Sequence, residues 1–334
     1  MHAALVCLVT LGTGCDHGPQ RYDEAFVAMG AAAEITVLSD SEPGARAALA
    51  AARREIERLD SLLSDYRPTS NVGRLNDRRT QALAPETAKL LARAQEVCRE
   101  TGGAFDVSLG PVKRLWGFGE NATPHVPDSL ALRGLLAHVG CEVYALQPDG
   151  TLEWRDDQAR IDLGGIAQGF AAACVAETLR ARGIVDFLVN LSGDIVVGGE
   201  RAGGGRWRIG VQHPRRPDTL LVTLPTRWRA VTTAGDYEQS FIENGVRYHH
   251  IFDPTTGAPA RGTVSVSVFA DDPVAADCYD TALFVLGVER GLAFLAAHPH
   301  VQALFVTETA SGELERYSTA GLDSLLAPHA GPVR

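Results

Sequence analysis

The chain has 334 residues, of which 45% are hydrophobic, so it can bury a large core in one large domain or in two. Its net charge is −10 and it has no Lys/Arg run or basic helix, which makes nucleic acid a poor partner. The six cysteines form no CxxC pair and there is no HExxH motif, so any metal is expected among oxygen ligands rather than in a zinc or redox dithiol site.

Residues 1–15, MHAALVCLVTLGTGC, form a short apolar run that ends in Cys15. The run is too short to span a bilayer and is typical of a signal peptide. Small residues before a cysteine resemble a bacterial lipoprotein cleavage site, at which Cys15 would become the lipidated first residue. The alternative is a frayed apolar N-terminus, because no Lys or Arg precedes the run and Gly12 stands where an apolar residue is usual. We expect export and a lipid anchor.

Hydrophobic periodicity and turn residues predict the remaining elements in chain order. A strand or bent pair of strands is expected at Ala25–Ser39. Helices are expected at about Ala45–Leu63, from Pro85 to near Thr101, at Asp128–His138, at about Gly165–Arg182 and at Pro273–Leu286. Short strands dominate after Cys141, with turns at Pro148–Gly150 and Glu243–Gly245. Because strands and helices do not alternate regularly, the sequence predicts an α+β fold with a mixed sheet.

Gly102–Gly119 combines glycines with three aromatic residues, Phe105, Trp116 and Phe118, close to Asp106. Aromatic side chains in such a setting could enclose a planar ring. The alternative is ordinary packing in the hydrophobic core.

Arg160–Leu179 is predicted to form a strand, a glycine turn and a helix. Its GGxxxG pattern at Gly164–Gly169 is neither the dinucleotide motif GxGxxG nor a P-loop. Free backbone N–H groups and the positive end of a helix dipole would still suit a phosphate there. The alternative is a helix packed tightly on a strand.

Tyr248–Pro259 begins with two adjacent histidines, His249 and His250, after the hairpin turn at Glu243–Gly245. Successive side chains of a strand point to opposite faces, so at most one of these histidines faces a given pocket. His250 would share its face with Tyr248. The alternative is a strand end with two solvated histidines.

Asp271–Gly287 begins with good helix-start residues, Asp272 as a cap and Pro273 in the first turn. Asp277 and Thr281 are four residues apart and therefore lie one above the other on the helix. A carboxylate and a hydroxyl are oxygen ligands that suit Mg²⁺. The alternative is a solvated Asp and a Thr bonded to the carbonyl four residues earlier.

Ten short segments carry a resemblance that covers about Ala25 to Leu286. They are AMG at Ala28–Gly30, LDSLLSDYRPTSNVGRLN at Leu59–Asn76, AFD at Ala104–Asp106, LWGFG at Leu115–Gly119, DLGGIAQG at Asp162–Gly169, LVNLSGDI at Leu188–Ile195, WRIGVQHP at Trp207–Pro214, AGDYE at Ala234–Glu238, YHHIFDPTTGAP at Tyr248–Pro259 and AADCYDTALFVLG at Ala275–Gly287. Together, and in this order, they resemble the ApbE family of FAD:protein FMN transferases. Such proteins cut FAD between its phosphates, attach FMN to a Ser or Thr hydroxyl of an acceptor protein and release AMP.

The resemblance implies roles for particular residues of this chain. An ApbE-like domain is expected over residues 22–330, with FAD as a non-covalent substrate. The FAD pocket would be lined by Met29, Tyr66, Ala104, Phe105, Asp106, Asp162, Gln168, His250 and Ile251. Mg²⁺ would be held by the carbonyl near Gly165 and by Asp277 and Thr281. His250 would be the catalytic residue beside the pyrophosphate, and the acceptor hydroxyl would be the nucleophile.

The chain departs from the family pattern at three positions. Gln168 replaces the usual lysine of GGIAKG, and Ala31 and Ala234 replace hydroxyl-bearing residues. The resemblance also implies a location on the periplasmic face of the bacterial inner membrane, with a membrane redox-complex subunit as the acceptor. One alternative is an Mg²⁺-dependent FAD pyrophosphatase that releases FMN and AMP. A second is a non-catalytic periplasmic flavin-binding lipoprotein, which the retained Asp277, Thr281 and His250 argue against.

Overall fold

The computed structural model describes residues 18–78, 80–119 and 122–326, so the predicted signal segment and residues 327–330 of the predicted domain lie outside it. The fold is α+β, as predicted. An eight-stranded sheet has the order β1 (Gln20–Ala28), β2 (Ala31–Ser39), β5 (Phe187–Leu191), β6 (Asp194–Gly198), β9 (Ala230–Gly235), β12 (Ser265–Ala270), β13 (Gln302–Glu308) and β14 (Leu314–Ser318).

Every neighbouring pair in this sheet runs antiparallel, which corrects the expectation of a mixed sheet. Parallel neighbours need a crossover connection. Here the long helical connections from β2 to β5 and from β12 to β13 return the chain to the neighbouring position in the opposite direction.

Residues 25–39 contain the end of β1, the turn that follows it and the whole of β2. Strands β1 and β2 are joined by the two-residue turn Met29-Gly30, since Ala28 pairs with Ala31. Met29 has φ 51° and Gly30 has φ 75°, which is the left-handed geometry of a type I′ turn. Of the two alternatives predicted here, a strand or a pair of strands, the pair is confirmed.

Three long helices cover one face of the large sheet: α1 (Glu42–Leu63), α6 (Ala167–Arg180) and α7 (Pro273–Ala296). The main core lies between these helices and the sheet and includes Ile35, Leu59 and Phe284. Helix α7 breaks at Gly287, which has φ 72°, immediately after the predicted helix end.

A smaller layer covers the opposite face. It consists of the hairpin β7 (Arg208–Gln212) and β8 (Leu220–Pro225) and helix α8 (Ala320–Leu326), packed through Trp207, Trp228 and Phe269. The sheet is therefore sandwiched between helices and a second apolar cluster.

The remaining elements lie outside the eight-stranded sheet. They are α2 (Asn71–Asn76), α3 (Pro85–Glu100), α4 (Gly110–Leu115), α5 (Ser129–Leu136), the hairpin β3 (Tyr144–Leu146) and β4 (Leu152–Trp154), and the hairpin β10 (Ser240–Glu243) and β11 (Val246–His249). The predicted Asn-Gly turn joins β10 to β11, with φ values of 51° at Asn244 and 77° at Gly245.

A disulfide links Cys98 near the end of α3 to Cys141 before β3. This pairing could not be identified from the sequence alone. Cys174 and Cys278 are free. Within residues 18–78, 80–119 and 122–326, no helix combines the length and the apolar character that crossing a bilayer would require.

Candidate active site

A cavity of about 760 Å³ opens where the β1–β2 turn, the glycine turn before α6 and the start of α7 come together. This volume is in the range of small-molecule sites. All twelve residues assigned to a site from the sequence lie in its lining: Met29, Tyr66, Ala104, Phe105, Asp106, Asp162, Gly165, Gln168, His250, Ile251, Asp277 and Thr281. The fold thus brings together residues that are up to about 250 positions apart in the chain.

The aromatic residues of Gly102–Gly119 divide between the cavity and the core. Phe105 contributes to the lining but is 2% exposed and packs in the main core. Trp116 and Phe118 pack instead with Phe252 in a separate cluster beside β10 and β11. Trp116 and Phe118 therefore serve core packing, and only Phe105 is placed to contact a planar ring in the cavity.

The glycine turn before α6 serves both the cavity and the helix packing. Asp162 Oδ1 accepts a hydrogen bond from Gly164 N–H at 2.7 Å, which closes the turn. Gly169 N–H donates to Asp277 Oδ2 at 2.8 Å, which ties α6 to α7. A Cβ on Gly169 would lie 2.5 Å from the Pro273 carbonyl oxygen, so only glycine permits this approach. At Gly169 the close contact is with another helix, α7, while α6 also packs on strands β5 and β6.

Three buried carboxylates converge at the floor of the cavity. Oxygen atoms of Asp194, Asp277 and Asp280 all lie within 4.8 Å of one another. Burial raises the pKa of Asp277 to about 7. Burial and the neighbouring carboxylates raise the pKa values of Asp194 and Asp280 well above their ordinary range. A cation between the three groups would remove this penalty.

The groups around the three carboxylates complete a set of oxygen donors. The Thr281 hydroxyl donates to Asp280 Oδ1 at 3.3 Å. Thr281 Oγ1 also lies 3.4 Å from the position that a Cβ on Gly165 would take. Carboxylate, hydroxyl and carbonyl oxygens are the donors that Mg²⁺ prefers, so the residues present fit this ion. Asp277 is 4% exposed, so the alternative of a solvated aspartate is wrong.

Asp194 and Asp280 were missed in the sequence, although both line the cavity. Asp280 had a detectable signal, because it lies three residues after Asp277 and therefore on the same side of α7. Asp194 begins β6 on a different part of the chain, and no local pattern connects it with α7.

The two adjacent histidines point in different directions, as strand alternation predicted. His249 Nε2 lies 3.0 Å from the Ala260 carbonyl oxygen, and its ring packs edge-on against Phe284 in the core. His250 lines the cavity, its backbone N–H donates to the Gln239 carbonyl, and its Nδ1 is buried without a hydrogen-bond partner in the described residues. His249 is buried and His250 is half-buried in the cavity wall, so the alternative of two solvated histidines is wrong.

His250 is neutral at pH 7 because of its surroundings. Burial, assisted by the positive charge of Lys113, lowers its pKa to about 4. A neutral imidazole can accept a proton, which an imidazolium cannot.

Lys113 is a further cavity residue that sequence reasoning missed. Its Nζ lies 2.8 Å from Asp162 Oδ2 and 5.7 Å from the centre of the Tyr66 ring. Burial alone would raise the pKa of Asp162, but the Lys113 ammonium holds it below its ordinary value. Asp162 is therefore an anion paired with a buried cation.

The sequence and the structure both match proteins of one family. The model of the ApbE family matches residues 29–305. An FAD:protein FMN transferase of Vibrio cholerae is 33% identical over 274 residues, which are 80% of this chain and 81% of that protein. Another, of Treponema pallidum, is 34% identical over 329 residues, which are 90% of this chain and 89% of that protein.

Solved structures agree with this similarity. The flavin transferase ApbE from Vibrio cholerae matches with a TM-score of 0.82 at 30% identity, over 92% of this chain and 100% of that chain. The ApbE protein of Thermotoga maritima has the same TM-score and identity, over 92% and 99% of the two chains.

Proposed function

The chain belongs to the ApbE family, and we infer that it is an FAD:protein FMN transferase. The structural observation that carries this inference is the convergence of Asp194, Asp277 and Asp280 with His250 in one cavity. The cavity is large enough for a small molecule, and it contains a neutral histidine and three buried carboxylates that a cation would stabilise. This combination suits the transfer of a phosphoryl group.

We propose that Mg²⁺ is held by Asp277, Asp280 and Asp194, with the Thr281 hydroxyl and the Gly165 carbonyl as further ligands. Bound there, the ion would polarise a phosphate of FAD and stabilise the departing AMP. Two observations support this proposal. The donors around the three buried carboxylates are all oxygen atoms, and no basic side chain of the described residues is hydrogen-bonded to these carboxylates.

Other residues of the cavity are assigned to flavin binding and to proton transfer. Met29, Tyr66 and Phe105 line the cavity, and we assign the contact with the flavin ring to them. The hydroxyl oxygen of the acceptor Ser or Thr forms a bond to the phosphorus of the FMN half, while the phosphoanhydride bond breaks and AMP leaves. His250 lies in the same cavity and takes the hydroxyl proton, since its low pKa keeps the ring unprotonated at pH 7.

The reaction is tested by incubating the protein with FAD, Mg²⁺ and a candidate acceptor domain. We expect flavin fluorescence on the acceptor band after denaturing electrophoresis and AMP in solution. Free FMN without labelled acceptor would identify an FAD pyrophosphatase instead. Flavin recovered intact as FAD would identify a binding protein without catalytic activity.

We further propose that the mature protein is exported, is anchored through a lipid on Cys15 and modifies a subunit of a membrane redox complex at the periplasmic face of the inner membrane. Residues 1–15 support this proposal. The disulfide between Cys98 and Cys141 supports it as well, because disulfides persist mainly in oxidising compartments. In the full-length protein, Cys15→Ala should move the protein from the membrane to the soluble fraction. An unchanged distribution would refute the anchor.

A further inference from the structure

The cavity is strongly acidic, although the proposed substrate carries a diphosphate. Eight carboxylate residues line it: Asp60, Asp65, Asp106, Asp162, Asp194, Glu238, Asp277 and Asp280. Among the described residues, the lining contains two with positively charged side chains, Arg67 and Lys113. The Arg67 side chain is 53% exposed and pairs with Asp60, whereas that of Lys113 is 18% exposed. Lys113 is thus the less exposed of the two positive charges in this lining.

Lys113 reaches the cavity because α4 lies against the strand-like segment that precedes the glycine turn. Leu109 forms a short parallel bridge with Arg160. Gly110 then allows close approach, since a Cβ there would lie 3.3 Å from Asp162 Cβ. Lys113, one turn further along, places its Nζ 2.8 Å from Asp162 Oδ2.

The ammonium of Lys113 has more hydrogen-bonding capacity than its surroundings use. An ammonium has three N–H donors. Asp162 is its one ion-pair partner in the described residues, and the Tyr66 side chain is its second polar neighbour. One of the three donors therefore remains for a ligand in the cavity.

The sequence singles out this lysine in a second way. Of the 31 basic residues in the chain, two are lysines, Lys89 and Lys113. Lys89 is exposed on α3, while Lys113 is in the cavity. Gln168, at the position where the family usually has lysine, also lines the cavity but is neutral. A compact ammonium is a suitable point charge for a phosphate.

We propose that Lys113 binds the diphosphate of FAD and supplies the positive charge that Gln168 does not. The assignment rests on the proposed function, because that function makes FAD the ligand. The same charge helps to keep His250 neutral, which fits a position of Lys113 close to the reacting phosphate.

The test is a fluorescence titration of the purified protein with FAD and with riboflavin, which lacks phosphate. We expect Lys113→Met to weaken FAD binding by about 10- to 100-fold, which corresponds to the loss of one hydrogen bond to a charged group. Riboflavin binding should change by less than about threefold, because only the diphosphate contact is lost. Lys89→Met is the matched control and should leave both affinities unchanged.

A second measurement separates a lost charge from a damaged fold. Adding Gln168→Lys to the Lys113→Met variant should restore much of the FAD affinity. Equal weakening of FAD and riboflavin binding, or no recovery in the double variant, would overturn the assignment in favour of a structural role for Lys113. An unaltered FAD affinity in Lys113→Met would also overturn it. Failure of the unmodified protein to bind FAD would instead refute the proposed function itself.

Discussion

Replacing Gly169 by alanine tests the contact that positions the carboxylate of Asp277. In the structure, an added Cβ would lie 2.5 Å from the Pro273 carbonyl oxygen and 2.7 Å from Asp277 Cβ. Ordinary contacts are at 3.4–4 Å, so α6 and α7 must separate by about 1 Å in this close-packed interior. Such a shift also lengthens the 2.8 Å hydrogen bond from Gly169 N–H to Asp277 Oδ2.

The expected change in the free energy of unfolding follows from two destabilising contributions and one stabilising contribution. Overpacking costs about 1–3 kcal/mol, and the loss of a hydrogen bond to a charged acceptor costs about 1.5–3 kcal/mol. The better helix propensity of alanine returns about 1 kcal/mol. We therefore expect Gly169→Ala to lower the free energy of unfolding by about 1.5–5 kcal/mol. Metal affinity should fall by about 10- to 100-fold, as for other residues that orient a metal ligand.

The assay combines urea unfolding with the Mg²⁺ dependence of FMN transfer. Gly134→Ala is the matched control, since Gly134 lies within α5 and a Cβ there has no atom within 4 Å. The control should be unchanged or slightly more stable, with an unaltered Mg²⁺ requirement. Equal stability and equal Mg²⁺ dependence of the two variants would refute the role given to the α6–α7 contact.

Three further predictions concern the metal ligands and the histidines. Asp277→Ala should raise the Mg²⁺ concentration needed for transfer more than Thr281→Ala does, because it removes a charged ligand; activity that is indifferent to chelation would contradict this. His250→Ala should lower kcat and kcat/KM together by roughly 10²–10³ with FAD affinity nearly kept, whereas His249→Ala should cost far less, and the reverse order would refute the assigned roles. Burial lowers the pKa of His249 from its ordinary 6.5 to about 4, so its contribution to stability is complete above pH 6.5 and is lost as the pH falls towards 4. The destabilisation caused by His249→Asn in urea unfolding should therefore be smaller at pH 5 than at pH 7, and equal values would contradict the low pKa.

Local sequence signals predicted many elements of the fold. Asp272 caps α7 by accepting hydrogen bonds from the N–H groups of Val274 and Ala275, and Pro85 begins α3, as their residue types indicated. The Asn-Gly turn and the break after Leu286 were also visible. These features depend on backbone preferences within a few residues, so a single sequence contains them.

The direction of strand pairing was not visible in the same way. Strands β2 and β5 are adjacent and antiparallel although more than 140 residues separate them along the chain. Hydrophobic patterns show that a strand is buried but not which neighbour it pairs with, because that choice depends on how the helices pack on the sheet.

The sequence by itself determined which side chains could do the chemistry and how near neighbours are related, because these depend on residue type and on the period of a helix or strand. It placed Asp277 above Thr281 and turned His250 away from His249. The tertiary structure decided which distant groups join them. Asp194 reaches Asp277 because β6 lies beneath α7, and Lys113 reaches Asp162 because Gly110 lets α4 approach. Such contacts depend on close packing between segments that are far apart in the chain, and no local pattern in a single sequence indicates them.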